Sequence, residues 1–408
     1  MYSPGSSGWL EKYFDLIDKG HIQIDIDLAT DVFDYCRDSG LIYGIAIKKI
    51  FTPDSFTTSW TTHDHLKALL FESLLLVFLK KNRGAFNREQ FVEKLNIFYS
   101  KDKVKDSFDI LSYFKKKSIL ENIELSINDR LELDKRMIET RIWLNSLNNG
   151  LVFLDTVLFE DFLQNGKLTS YQELSKIVVQ AFIGAAKSDK ELNDSDTKLF
   201  NFYIACARLN EQIERDLEDD FDNSSFASKI PNVSAESKLF KQFILWFSCF
   251  VVSVNRQVSK EEREYLEAFC SNLNFSSEDL NFAFSYNLAF LVENSDSISY
   301  LGSSSTDILV SNLSKRWGKI LMRNKDKLVR EIQQSKELML LLGKSTQNEL
   351  SKEEKELVKT QLIDIMKTMP SLAIFLIPGG SLLLPIFLKF VPGLLPSAFQ
   401  DNKVSKDN

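Results

Sequence analysis

MPSLAIFLIPGGSLLLPIFLKFVPGLLPSAF, from Met369 to Phe399, is the stretch on which the reading of this chain turns. No charged side chain occurs between Met369 and Leu388. As a helix that span is roughly 28 Å long, against about 30 Å for the hydrocarbon core of a bilayer. It is the one transmembrane candidate in the sequence. Pro370, Pro378, Pro385, Pro392 and Pro396 punctuate it, and Gly379-Gly380 stands near its middle. Proline removes a backbone hydrogen bond and kinks a helix. In lipid the freed carbonyls must find partners within the protein, and Ser371 and Ser381 are the hydroxyls at hand. The segment is therefore expected to pack against copies of itself or against other helices. The competing reading is a buried hairpin in a soluble helical domain. Its turn would be Pro378-Gly379-Gly380, because apolar arms of about 10–14 residues are more often core than membrane. The residues leave spanning, re-entrant and hairpin forms open.

Working outward, SDSISYLGSSST over 295–306 reads as a serine-rich linker. Beyond it the charge changes sign: Lys315, Arg316, Lys319, Arg323, Lys325, Lys327 and Arg330 crowd a short helical stretch. Basic residues just before a membrane segment mark the cytoplasmic side. Lys315, Arg316, Lys319 and Arg323 are the candidates for contact with anionic lipid headgroups, at about 1 kcal/mol each near the surface. An ordinary charged helix face accounts for them as well. Ser351 and Glu354 form a capping-box pattern that starts the helix leading to Thr368.

Composition sets the class. The chain has 408 residues, 44% hydrophobic and 26% charged, which are globular values and allow two or three domains. Gly and Pro are scarce at 15 and 8 while Phe is used 32 times, which favours long helices. The fold class expected is all-α: multi-helix bundles with a duplicated unit and a C-terminal proline-kinked apolar segment. A net charge of −7 argues against a general nucleic-acid binder, so no direct DNA binding is expected. Cys36, Cys206, Cys249 and Cys270 have no CxxC spacing and read as reduced core residues. MYSPGSSGWLEKYFD lacks a basic region followed by an apolar run, so no secretory signal is read and the N-terminal bulk is expected in the cytoplasm. No catalytic motif is recognised, and three histidines with no glycine-rich phosphate loop argue against an enzyme.

Residues 1–165 read as a helical domain. Ile22, Ile24, Ile26 and Leu28 alternate with polar residues and suggest a short strand by period. His63 and His65 form half a metal site with no third partner beyond His21, so a helix start capped by Thr62 or Asp64 is the better account. LKALLFESLLLVFLK, up to Lys80, is a buried helix with Glu72 inside it. Helices are expected to follow from Asn87, over Asp102 to Lys117, and as one long element from Leu133 to Gln164.

Residues 166–294 hold two similar layouts. In the first, Gly184, Ala185 and Ala186 precede Asp189 and Glu191, then a helix opened by Asp194 and Asp196. In the second, Val254-Asn255-Arg256-Gln257 precedes Ser259-Lys260-Glu261-Glu262, where Ser259 and Glu262 form a capping box. Over about 175–290 this pattern resembles the tellurite-resistance TerB-like helical domain, with Lys190 where that family has glycine, and suggests a duplicated bundle. Asp189, Glu191, Asp194 and Asp196 would suit a hard divalent cation, the one cofactor that the residues suggest. The EF-hand template fails, with Asp194 at its sixth position and Phe200 at its twelfth. Helix capping by Asp194 and Asp196 is the plainer account.

The proline pattern carries a second resemblance. Pro370, Pro378, Leu383-Leu384-Pro385, Lys389, Pro392 and Leu395-Pro396 before Phe399, with Lys336–Thr368 upstream, resemble the membrane segment and helical lead-in of the Letm-type family. These are the leucine-zipper and EF-hand-containing transmembrane proteins, including bacterial, biofilm-associated members. The resemblance covers about Arg316 to Phe399, within a region 307–399 whose membrane part is 369–396, followed by a tail 400–408. It implies an inner-membrane protein of a bacterium with lipid bilayer and ribosome as partners, and a role in cation and proton homeostasis or membrane-protein biogenesis. Two departures stand out. Ser381 occupies the family's intramembrane acidic position, which weakens an ion-exchange reading, and neither an EF-hand nor the family's ribosome-binding-like domain is expected here. The alternative function is a soluble TerB-like scaffold that binds a partner or a divalent cation.

Overall fold

The computed structural model describes residues 2–102, 118–166, 169–188, 192, 194–223, 230–233, 236–254, 258–294, 325–345 and 350–367. Among these every regular element is a helix. The chain divides into two units, one of residues 1–252, 259–274 and 297–301, the other of 253–258, 275–296 and 302–408.

In the first unit α3, Thr62–Lys81, is the central element. Thr61 caps it: its hydroxyl accepts from the Asp64 amide while the Asp64 carboxylate accepts from the Thr61 amide. The cap is thus one residue before the Thr62 expected. From Leu66 to Leu79 the side chains of α3 are buried on all sides, as a helix that is apolar all round must be. Around it pack α2 (Val32–Asp38), α5 (Ile119–Leu131) and α7 (Phe153–Asn165), while α1 (Trp9–Asp18) lies on α5, and α4 (Arg88–Asp102) on α5 and α7. Phe71 is the aromatic hub, with the rings of Tyr13, Trp9, Phe91 and Phe14 at 5.0, 5.4, 5.7 and 5.9 Å. Such tilted and edge contacts stabilise beyond area burial.

Three expectations for this region change. Ile22 to Leu28 is not a strand: Ile22 stands at a bend and is buried, Leu28 stands in a turn and is 55% exposed, and no strand exists among the described residues to pair with the segment. The long helix over Leu133–Gln164 is instead a short α6 (Lys135–Thr140), a 3-10 turn over Ile142–Ser146, a loop and then α7. The helix ends at Arg141, whose φ of −130° leaves the helical region, and in the loop before α7 the backbone of Gly44 sits so close that a Cβ on Gly44 would lie 2.4 Å from the Gly150 Cα. Only two glycines allow that approach, and Gly44 has a φ of +68° besides. The helix start at Asn87 is where expected, its side chain accepting from the Gln90 amide, whereas the helix placed over Asp102–Lys117 lies almost wholly outside the described residues.

The unit continues with α8 (Tyr171–Ala186), α9 (Asp194–Ala207), α10 (Glu211–Asp222), α11 (Lys238–Val254, its last two residues belonging to the other unit) and α12 (Lys260–Asn272). α8 packs on α7, α9, α10 and α12. Its small residues Gly184, Ala185 and Ala186 are buried. Phe200 and Phe221 stack with centroids 4.0 Å apart. All four cysteines are free thiols and buried.

In the second unit the described helices are α13 (Ser277–Asn294), α14 (Lys325–Gln334), α15 (Lys336–Ser345) and α16 (Lys352–Lys367). The last three contact one another pairwise and bury Ile332, Leu338, Leu342, Leu350, Val358 and Leu362. Among the described residues no helix is long and apolar enough to cross a membrane. Met369–Phe399 lies outside them.

Candidate functional site

The lone acid in the apolar α3 run organises a loop. Glu72 is fully buried, and its two oxygens accept five hydrogen bonds. Oε2 takes the Ile50 and Phe51 amides at 2.6 and 3.0 Å. Oε1 takes the Thr52 amide at 2.9 Å, the Thr52 hydroxyl at 2.5 Å and the Tyr13 hydroxyl at 3.3 Å. Burial pushes the Glu72 carboxyl above its ordinary range, and the donors pull it back. Lys49 nearby is pushed down to about 8 by burial. The carboxylate's acceptor positions are taken up by the 50–52 loop and by Tyr13 of α1, so Glu72 acts as a clamp.

A second buried centre lies between α5 and α7. Arg130 Nε sits 2.7 Å from Asp155 Oδ1, and its guanidinium lies 4.0 Å over the Tyr171 ring. Tyr99 donates its hydroxyl proton to Asp155 Oδ2 at 3.1 Å. Tyr171 accepts from Asn149 Nδ2 and donates to the Cys206 carbonyl, each at 3.0 Å. The Cys206 sulfur accepts from the Gly150 amide. Burial pushes both the Tyr171 hydroxyl and the Cys206 thiol up, so neither is a nucleophile at neutral pH. Buried charges persist when paired and hydrogen-bonded, and here that pairing joins α4, α5, α7, α8 and α9. A cavity of about 250 Å³ opens beside Tyr99, lined by Asn96, Tyr99, Ser100, Asn122, Ile123 and Ser126. Both serines donate to carbonyls of their own helices, which leaves amides and lone pairs but no base.

The remaining polar side chains are also built into the fold. His63 lies between Asn148 Oδ1 (2.8 Å) and Asn128 Oδ1 (3.2 Å), and Asn128 donates its amide to Glu132. His65 packs on Trp60, and its pKa is lowered by burial. The two histidines proposed as half a metal site therefore serve different neighbours. Lys187 donates to the Asp220, Phe221 and Asn223 carbonyls, which caps the negative end of α10.

Of the four carboxylates suggested for a cation, Asp194 is exposed and Asp196 is 1% exposed, on different faces of α9. Asp189 and Glu191 lie outside the described residues. Among the described residues no group of three or more His, Cys, Asp or Glu side chains could hold a metal ion. The membrane-segment residues Pro370, Pro378, Gly379, Gly380, Ser381, Pro385, Lys389, Pro392 and Pro396, and the headgroup candidates Lys315, Arg316, Lys319 and Arg323, also lie outside. Sequence reasoning noted Glu72 inside the apolar run but gave it no role, and it did not single out Arg130, Asp155 or Lys187.

The three-helix group leading to the apolar segment carries the external information. Ser351 and Glu354 form the expected reciprocal cap of α16. Lys344 pairs with Glu354 at 2.6 Å, and Ser335 donates to Gln361 at 2.7 Å. The class is thus an all-helical protein whose last described helix runs directly into an apolar, proline-rich stretch. Residues 350–408 match the family model described as LETM1-like, RBD. Over these residues the sequence is of the Letm type. The match begins at the α16 cap and takes in the apolar segment. It corrects the expectation that the family's ribosome-binding-like part has no counterpart here. These comparisons do not show the TerB-like resemblance. No curated protein and no solved structure matches the chain.

Proposed function

We propose that this is a Letm-related protein that attaches to a bilayer through Met369–Phe399 and meets the ribosome through the segment that begins at α16. The observation that carries the reading is the match of residues 350–408 to the LETM1-like RBD model. The uncharged span from Met369 to Leu388 supports the membrane half. Exposed cations at Lys352 and Lys355 on α16 suit an RNA-rich surface. Its role is non-enzymatic, in cation and proton homeostasis or in the biogenesis of membrane proteins, with the bulk of the chain on the cytoplasmic side of a bacterial inner membrane. The kinked segment associates with copies of itself, which satisfies carbonyls freed by its prolines.

The test has two arms on the full chain. After cell fractionation, a carbonate wash leaves the protein in the membrane pellet; release into the soluble phase ends the membrane reading. In detergent, the protein co-sediments with ribosomes, and Lys352→Glu with Lys355→Glu weakens this more at low salt than at high. Co-sedimentation indifferent to both the variant and the salt removes the ribosome half.

A further inference from the structure

We infer that the first unit carries a docking surface for a basic, amphipathic protein segment, formed by the 3-10 turn at Ile142–Ser146 and the acidic edge of α10. It stands independently of the function proposed above.

The surface begins with the end of α6. Arg141, at φ −130° and ψ 78°, takes the chain out of the helix, and the tighter turn that follows buries Leu144 completely. With about three residues per turn, Ile142 and Trp143 are carried to the outside, 80% and 43% exposed. Single exposed apolar residues are common on protein surfaces. Here a large aliphatic and a tryptophan are adjacent, and tryptophan is among the residues that most often anchor interfaces.

The charge beside them is acidic on balance, with arginines of α6 and its end set against the carboxylates of α10. Arg141 reaches Glu218 at 3.4 Å, and Arg136 reaches Glu214 and Glu211 at 3.4 and 3.6 Å, so the edge of α10 runs alongside α6 and the turn. α10 holds seven carboxylates and one arginine in its twelve residues. Asp216, Asp219 and Asp222 are exposed and have no ion-pair partner among the described residues. Such a field repels phosphate, so it turns away both nucleic acid and anionic lipid headgroups. It attracts lysine and arginine. An apolar pair rimmed by carboxylates is the complement of a helix with an apolar face and a basic flank.

The test uses the full chain and a fluorescein-labelled 18-residue peptide with leucines on one helical face and lysines on the other, read by anisotropy at 50 mM salt. The same peptide with glutamate for lysine is the control. The basic peptide binds saturably and the acidic one does not. Ile142→Ser with Trp143→Ser weakens binding about tenfold. Asp219→Lys with Asp222→Lys weakens it about tenfold at 50 mM salt, with the difference shrinking at 500 mM. Circular dichroism melts matching wild type show that the variants fold. If the double apolar variant melts early, Ile142→Ser alone decides, because that side chain is mostly in water. Absence of saturable binding overturns the inference. So does equal binding by the apolar variants, which would leave only unspecific charge attraction. Binding of phosphatidylglycerol vesicles that is lost in the apolar variants also overturns it, in favour of a lipid-facing patch.

Discussion

Glu72→Gln changes one oxygen to an NH2 group and leaves shape and volume nearly unchanged, so it isolates the clamp beneath the 50–52 loop. Every group facing Glu72 is a donor: three backbone amides and the hydroxyls of Thr52 and Tyr13. A carboxamide has only one accepting oxygen. If it keeps the Oε1 position, the amides of Ile50 and Phe51 face a donor; if it keeps Oε2, those of Thr52 and two hydroxyls do. Hydroxyls can turn away, but the amides cannot. At least one backbone N–H is therefore stranded, and in the first arrangement two are. Each buried unsatisfied donor costs about 1–3 kcal/mol. The expected loss is about 3 kcal/mol, a large part of the ~5–15 kcal/mol that holds a domain together. Urea unfolding of the full chain measures it, with Thr52→Val as the companion that removes one donor and costs about 1 kcal/mol. A loss below about 1 kcal/mol for Glu72→Gln would show that the 50–52 loop is held by packing and that the carboxylate is not its anchor.

Asp155→Asn preserves shape but leaves the buried Arg130 guanidinium without its counter-charge, and an expected loss of about 3–5 kcal/mol is measurable in the same unfolding assay. Glu160 gives a pH dependence. Burial first, then Asp161 and Asp31, push its carboxyl from 4.5 to about 7, against the pull of Lys238. The folded protein holds this proton more tightly than the unfolded chain, so its contribution is fully present below pH 4.5 and is lost as pH rises through about 7. The full shift corresponds to about 3 kcal/mol, and partial solvent access reduces this to about 1–2 kcal/mol; Glu160→Gln flattens the stability curve between those pH values. Gly44→Ala forces a Cβ to 2.4 Å from the Gly150 Cα at a positive φ. It is expected to cost more than about 2 kcal/mol and to lower the melting temperature.

What could be read from the sequence follows from the range of the interactions involved. Helix class and caps are local: the Ser259–Glu262 and Ser351–Glu354 pairs stand three residues apart and form as written. The burial of α3 is equally local, because its apolar residues leave no face for water. The close approach of Gly44 to the loop between α6 and α7 was not visible, since the two glycines stand more than a hundred residues apart. The strand expected at Ile22–Leu28 failed for a related reason: alternation describes one extended segment, but a strand requires a second. The buried centres are the hardest case. Arg130, Asp155 and Tyr171 look like surface residues in isolation, and only the tertiary fold supplies their pairing.

The distribution of charge then bears on function more than the buried chemistry does. Glu72, Lys187 and the Arg130–Asp155 pair direct their polar atoms at loops and helix ends, which fixes positions and leaves little for a substrate. The surface discriminates instead. α10 is strongly acidic, whereas Lys315 to Arg330 is strongly basic. Membrane headgroups and RNA are both polyanions and will favour the basic stretch; a basic protein segment will favour α10. Adding salt should weaken both, since both attractions are electrostatic. Reversing Asp219 and Asp222 should weaken only binding to the basic peptide. That separation is what the two proposals together require, and a charge reversal on α10 that altered vesicle or ribosome binding as strongly as peptide binding would contradict it.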